Sequence, residues 1–280
     1  MLKTDLYLGE CLEVMAELPA QSIDMVLCDL PYGVTAHAWD AVIPFPELWA
    51  AYARLVKPRG AIVLTASGIF AHVLAASKPD WFRHHWVWDK VHPVGFQIAK
   101  VRPMQRHELV LVFGQESPNY YPVMTKNDDE PQFRGTKTPS KVSPLAHDDG
   151  ARREYFYKYP QSILTGETDV VRMSKGGDRL LHPSQKPVPL MAWFLQNYSR
   201  PGDTVMDNTM GSGSTGVACV IEGRNFVGIE QDFDYYTLAS GRIEEARAKE
   251  GVRHNFGTDS TGVLISRVVP EFTDQPSMGF

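Results

Sequence analysis

The stretch "DTVMDNTMGSGSTGVACV", residues 203–220, decides how this chain folds. It reads as a short apolar strand, a glycine-rich turn and then a helix, the repeating unit of a doubly wound α/β sheet. Gly211, Gly213 and Gly216 satisfy G-x-G-x-x-G, and Glu230 closes the next strand-like run, "NFVGIE", about where a ribose-binding acid is expected. A dinucleotide-dependent oxidoreductase is therefore one reading of the loop. Two details oppose it. The residues "DNTM" separate the strand from the first glycine, although a pyrophosphate needs that glycine close to the strand end. Asp207 also stands at the strand end, where a diphosphate would be repelled and a cationic ligand would be attracted.

Working outward, strands and helices alternate. "TDLYLG", "IDMVLC", "GAIVLTA", "HWVWDK", "ELVLVFG", "DTVMD" and "NFVGIE" read as strands. "CLEVMAEL", "FPELWAAYARLV", "IFAHVLAAS", "PVPLMAWFLQNY", "STGVACVIEG" and residues 232–249 read as helices. The alternation predicts a parallel sheet covered on both faces. Residues 115–177 break the pattern with polar, proline-punctuated chain, and a loop of that length inside a compact domain usually has a function. Residues 252–280 hold one strand-like run, "GVLISRVV", whose purpose the sequence leaves open.

With 280 residues, 43% of them hydrophobic and 22% charged, the chain can bury a substantial core. No apolar run approaches the roughly 20 residues of a membrane span, and the first ten residues lack a signal-peptide pattern, so a cytoplasmic location without membrane attachment is expected. Cys11, Cys28 and Cys219 are far apart and have no metal-ligand spacing, so neither a disulfide framework nor a metal site is expected. The net charge of −5 argues mildly against a nucleic-acid partner, but its distribution argues for one. Residues 81–107 carry Arg83, Lys90, Lys100, Arg102 and Arg106 against one acid, Asp89, interleaved with Trp81, Phe82, Trp86, Trp88 and Phe96. Cations among aromatics suit a phosphate backbone and an unstacked base, and these five cations are the candidate DNA contacts.

A second stretch, "DMVLCDLPYG" at residues 24–33, runs from a buried strand into an acid, a proline, an aromatic and a glycine. Alone these are ordinary turn-formers. Together with "HPSQKPVPL", "DNTMGSGSTG" and "FVGIE", in this order, the loop resembles the amino-group DNA methyltransferases over roughly residues 4–248. Because the "DLPY" loop precedes the glycine loop, the chain resembles the permuted β group of that family. The resemblance implies a circularly permuted, Rossmann-like fold that uses S-adenosyl-L-methionine, with residues 1–114 as the catalytic half, 115–181 as a target-recognition insertion, 182–250 as the cofactor-binding half and 251–280 as an extension. It implies double-stranded DNA as partner and leaves a homodimer open.

The resemblance also implies roles. Asp29 and the backbone carbonyl of Leu30 would accept the two N–H groups of the target amine, Pro31 would fix the loop, and Tyr32 would stack on the base. Gly211 and Gly213 would admit the methionine part of the cofactor beside Ser214 and Thr215, with Asp207 near its ammonium and Glu230 on the ribose hydroxyls. Gln185 and Lys186 would hold its carboxylate end, and Glu10, with Cys11, would meet the adenine. Glu10 departs from the family's usual Asp, and Leu30 from its usual Pro. An amine conjugated with its ring is a poor nucleophile, so two acceptors that draw it toward tetrahedral geometry would help in-line methyl transfer. The enzymes that methylate cytosine N4 tend to begin this loop with serine, so Asp29 favours adenine N6 over cytosine N4. Cytosine C5 methylation, which uses a thiolate from a Pro-Cys dipeptide, is opposed because no proline precedes a cysteine. A non-catalytic DNA-binding relative is the remaining alternative, opposed by the intact Asp29 and Glu230.

Overall fold

The computed structural model describes residues 2–33, 40–126, 132–134, 153–155, 157–164 and 185–250. The strand, turn and helix of the opening stretch are present as β11 (Thr204–Asp207) and α5 (Ser214–Glu222). Before them in the chain lie β1 (Thr4–Leu8), α1 (Cys11–Glu17), β2 (Ile23–Asp29), α2 (Phe45–Leu55), β3 (Val56–Ala66), α3 (Gly68–Ser77), β4 (Phe82–Val94) and β5 (Gln105–Phe113). Short strands follow: β6 (Thr125–Lys126), β7 (Gln132–Arg134), β8 (Arg153–Tyr155), β9 (Tyr157–Lys158) and β10 (Ile163–Leu164). Helix α4 (Val188–Tyr198) precedes β11, and β12 (Asn225–Glu230) and α6 (Phe233–Glu250) come after α5.

An eight-stranded sheet runs in the order β1-β12-β11-β2-β3-β5-β4-β10. The expectation of a wholly parallel sheet needs one correction, because β5 lies antiparallel to both β3 and β4. The reason is connection length. Parallel neighbours need a crossover of a dozen or more residues, whereas β4 and β5 are joined by a short loop that contains only a 3₁₀ turn, Phe96–Ile98.

Alternation along the strands supplies two apolar faces. Val26, Cys28, Ile62, Leu64, Leu111, Phe113, Val227 and Ile229 form one cluster with Met15 of α1, Leu48, Trp49 and Tyr52 of α2, and Phe70 and Leu74 of α3. The alternate residues Met25, Leu27, Ala61 and Val63 are also buried, and here α4 packs on β2 and β3 while α5 packs on β11. Helix α4 is apolar nearly all round and correspondingly buried. Proline within its first turn, where the backbone N–H has no helical partner, opens it without cost. Gly223, at φ +73°, ends α5 in the left-handed conformation while its N–H caps the Cys219 and Val220 carbonyls.

The chain divides into two compact units. One holds the eight-stranded sheet and its helices; the other includes residues 122–161, where β6 pairs with β9 and β7 with β8, both antiparallel. Residues 251–280, including the strand-like "GVLISRVV", lie outside the described residues, as do His182, Pro183 and Ser184 of "HPSQKP".

Candidate active site

Three carboxylates end three neighbouring parallel strands: Glu230 on β12, Asp207 on β11 and Asp29 on β2. The carboxyl ends of such strands are where α/β sheets bind ligands. Here they border a cavity of about 380 Å³, whose walls also include Glu10, Cys11, Leu30, Pro31, Tyr32, Gln185, Lys186, Gly211, Ser214 and Thr215. A cavity of this size suits a small organic cofactor. Nearly all the residues assigned to catalysis or cofactor binding from the sequence thus meet at one place.

Asp207 is buried, accepts the Thr209 N–H at 3.2 Å and is bonded to Thr215. Burial pushes its carboxyl up to about 7, more than those hydrogen bonds and the Cys28 thiol pull it down. Glu230 accepts the Gly211 N–H on Oε2 at 2.8 Å and the Asp232 N–H on Oε1 at 2.9 Å. Burial raises it above the ordinary carboxylate value, and the backbone N–H bonds partly offset that. Glu10 caps α1 through the Glu13 N–H at 3.0 Å, and Cys11 Sγ donates to it at 3.3 Å. Burial, reinforced by Glu10, pushes the Cys11 thiol up to about 12, so it is a neutral wall residue. Among the described residues, buried Asn208 Nδ2 and Ser214 Oγ have no hydrogen-bond partner.

The "DLPY" loop is tightly held. Asp40 Oδ1 accepts the N–H groups of Tyr32 at 2.8 Å and Gly33 at 2.9 Å, and Gly33 takes φ +68°. Thr209 Oγ1 donates to the Asp29 carbonyl at 3.0 Å, joining this loop to the glycine loop. Asp29 Oδ1 accepts the hydroxyls of Tyr32, at 2.7 Å, and Thr65; Oδ2 accepts the Lys186 ammonium at 2.8 Å. The Tyr32 ring stacks on Phe70 with centroids 4.9 Å apart, and the Lys186 ammonium also lies over the ring, 5.7 Å from its centroid.

Several sequence-derived roles change. Gly213 is absent from the cavity wall; at φ +77° it makes room for α6, since a Cβ there would lie 2.9 Å from the Ala239 Cβ. Lys186, also at the cavity wall, is buried between Asp29 and Glu108, 2.8 Å from the former and 3.4 Å from the latter, so protein carboxylates already engage its ammonium. In the basic segment, Arg83 donates to the Gly114, Gln115 and Glu116 carbonyls, Lys90 pairs with Glu108 at 3.0 Å, and Arg106 clasps Asp89 through two bonds of 2.7 Å. These three have protein partners, yet Arg83 and Arg106 remain exposed, as do Lys100 and Arg102. Trp86 and Trp88 are core residues and not stacking platforms. Sequence reasoning missed Asp40, Thr65, Glu108 and Asn208. Glu108 falls one residue beyond the basic segment, Asn208 lies within "DNTMGSGSTG" but was given no role there, and Asp40 and Thr65 sit in no motif.

Comparison with known proteins agrees with this geometry. The N6/N4 methyltransferase family, described as DNA methylase, matches residues 23–241, most of the chain. The type II methyltransferase M.HinfI of Haemophilus influenzae is 24% identical over 269 residues, which span 85% of this chain and 68% of that protein. Among solved structures, the M1.HpyAVI–SAM complex superposes with TM-score 0.54 at 22% identity, covering 85% of this chain and 98% of that one. The cytosine-N4-specific PvuII DNA methyltransferase gives 0.57 at 18% identity, covering 88% and 92%. A putative DNA modification methylase of Thermus thermophilus, complexed with S-adenosyl-L-methionine, gives 0.54 at 18% identity, covering 88% and 96%. At these identities the structural likeness speaks for the fold, and the family match carries the assignment: this chain belongs to the N6/N4 family of DNA methyltransferases.

Proposed function

We propose that this DNA methyltransferase acts on the exocyclic N6 amine of a flipped-out adenine in duplex DNA, with S-adenosyl-L-methionine as donor. The observation that carries the reading is the carboxylate of Asp29 at the wall of the same cavity as Asp207 and Glu230. The cofactor supplies a methyl group on a sulfonium sulfur, which keeps the carbon–sulfur bonding pair when the methyl leaves. The chain's residues bind and orient. The Glu230 oxygens accept the N–H groups of Gly211, Gln231 and Asp232, and a carboxylate has about four acceptor sites, which leaves room for a ribose hydroxyl. Asp207, once ionised, matches an ammonium, and Gly211 brings its backbone to the cavity wall. Glu10 stands at the wall for the cofactor's adenine.

At the target amine, Asp29 and the Leu30 carbonyl would each take one N–H and aim the nitrogen lone pair at the methyl carbon. Such positioning requires the nucleotide to leave the duplex stack. A carboxylate is a stronger acceptor than the serine common in cytosine N4 enzymes, which supports adenine. The order of the loops in the chain, Asp29 before Gly211, supports membership of the permuted β group.

Unmethylated DNA treated with the purified protein and S-adenosyl-L-methionine, then digested to nucleosides and weighed by mass spectrometry, tests the product. N6-Methyl-2′-deoxyadenosine is expected. N4-Methyl-2′-deoxycytidine without the methylated deoxyadenosine would overturn the adenine assignment. Asp29→Ala should keep cofactor binding and lose methyl transfer by orders of magnitude.

A further inference from the structure

Asp29 Oδ2 is the oxygen best placed to serve a target amine, because Oδ1 already accepts from Tyr32 and Thr65. Yet Oδ2 carries the Lys186 ammonium at 2.8 Å. An amine that turns cationic as it gains a methyl is poorly served by an acceptor with an ammonium on it. A second seat for that ammonium lies beside the first. Glu108 Oε2 is buried and is the weaker partner of the same ammonium, an ion pair at 3.4 Å against 2.8 Å to Asp29. Its other oxygen is held by Lys90 at 3.0 Å. A buried carboxylate oxygen served only by a long ion pair is under-satisfied, and Lys186 needs to move only a short way to shorten it.

From this geometry we infer that Lys186 is a two-position latch whose second seat is Glu108. In the free protein the ammonium sits on Asp29; when the target amine enters, it moves onto Glu108 Oε2 and leaves Asp29 Oδ2 to the amine. Glu108 is then a positioning residue that acts through Lys186, and Lys90 anchors it. No covalent bond changes and the proton stays on Lys186; one carboxylate is exchanged for another. Burial pushes Glu108 up, but Lys186 and Lys90 outweigh it and hold it below the ordinary carboxylate value. Burial likewise lowers Lys186, and Asp29, Tyr32 and Glu108 reverse that, so both partners stay charged. The inference rests on Asp29 being the acceptor of the target amine.

Single-turnover methyl transfer to unmethylated DNA, with S-adenosylhomocysteine affinity measured beside it, tests the latch. Glu108→Gln should bind S-adenosylhomocysteine within about twofold of wild type and transfer the methyl at least about tenfold more slowly, because Lys186 stays on Asp29. In a Lys186→Met background, Glu108→Gln should add less than about twofold, since the residue through which it acts is gone. Wild-type transfer by Glu108→Gln, or full additivity of the two losses, overturns the latch. Should Glu108→Gln fail to bind the product cofactor, Glu108→Asp replaces it; the shorter acid keeps the charge but withdraws the seat, with the same expected loss. Asp29→Ala separates the two levels: its activity would refute the acceptor assignment itself, whereas an inactive Asp29→Ala beside a fully active Glu108→Gln refutes the latch alone.

Discussion

Lowering the pH should weaken cofactor binding through one residue, Asp207. Its carboxyl is held up to about 7, with burial as the largest cause, followed by lowering from Thr215, Cys28 and the Thr209 N–H and a small rise from the Asp29 charge. Below that value the free protein holds Asp207 neutral, whereas a ligand ammonium prefers the ionised form. Binding must then release a proton, and the dissociation constant should rise about tenfold for each pH unit below about 7, reaching roughly a hundredfold near pH 5, or about 2.7 kcal/mol. Titration calorimetry with S-adenosylhomocysteine, in buffers of different ionisation enthalpy, measures both the affinity and the proton released. Glu230 is also raised and also lines the cavity, so its titration must be separated. Asp207→Asn does this: it should bind weakly at neutral pH and lose most of the slope. Affinity constant from about pH 5 to about pH 8 in the wild type, or an unchanged slope in Asp207→Asn, would refute the reasoning.

The same shift bears on stability. A carboxyl whose folded value is raised contributes stability that is whole below its unfolded value near 3.8 and is lost as pH rises toward about 7, on the order of 4 kcal/mol at most. Denaturant titrations without ligand should therefore show Asp207→Asn gaining on the wild type between those limits. Gly213→Ala should destabilise by roughly 2–4 kcal/mol in the same assay, because it combines a left-handed backbone with a clash against Ala239. Glu230→Ala should weaken S-adenosylhomocysteine binding, as read by calorimetry, while leaving the chain folded. Exchanging residues 115–181 with the matching segment of a relative should change which sequence is methylated, as read by sequencing modified bases, and leave cofactor affinity alone.

Strand and helix positions were legible because they rest on local periodicity. The runs read as strands and helices each lie on such an element, with boundaries shifted by a few residues. The acids at strand ends were legible too, because a polar residue that closes an apolar run marks where a strand leaves the core, and parallel strands gather such ends on one edge. Asp29, Asp207 and Glu230 met for that reason.

What only the tertiary structure decided follows from the reversed strand. Since β5 runs antiparallel, its beginning, and not its end, reaches the ligand edge, and Glu108 arrives there beside Lys186 and Asp29. Nothing in residues 105–113 announces that direction; it follows from the short link to β4 and from pairing with β3. The same pairing gave Arg83, Lys90 and Arg106 carbonyl and carboxylate partners that their spacing among aromatics did not announce. Sequence determines which side chains sit at the ends of elements, because that is local physics. Which of those ends meet, and whether a charge faces a partner or a ligand, depends on strand order and direction, which non-local pairing sets.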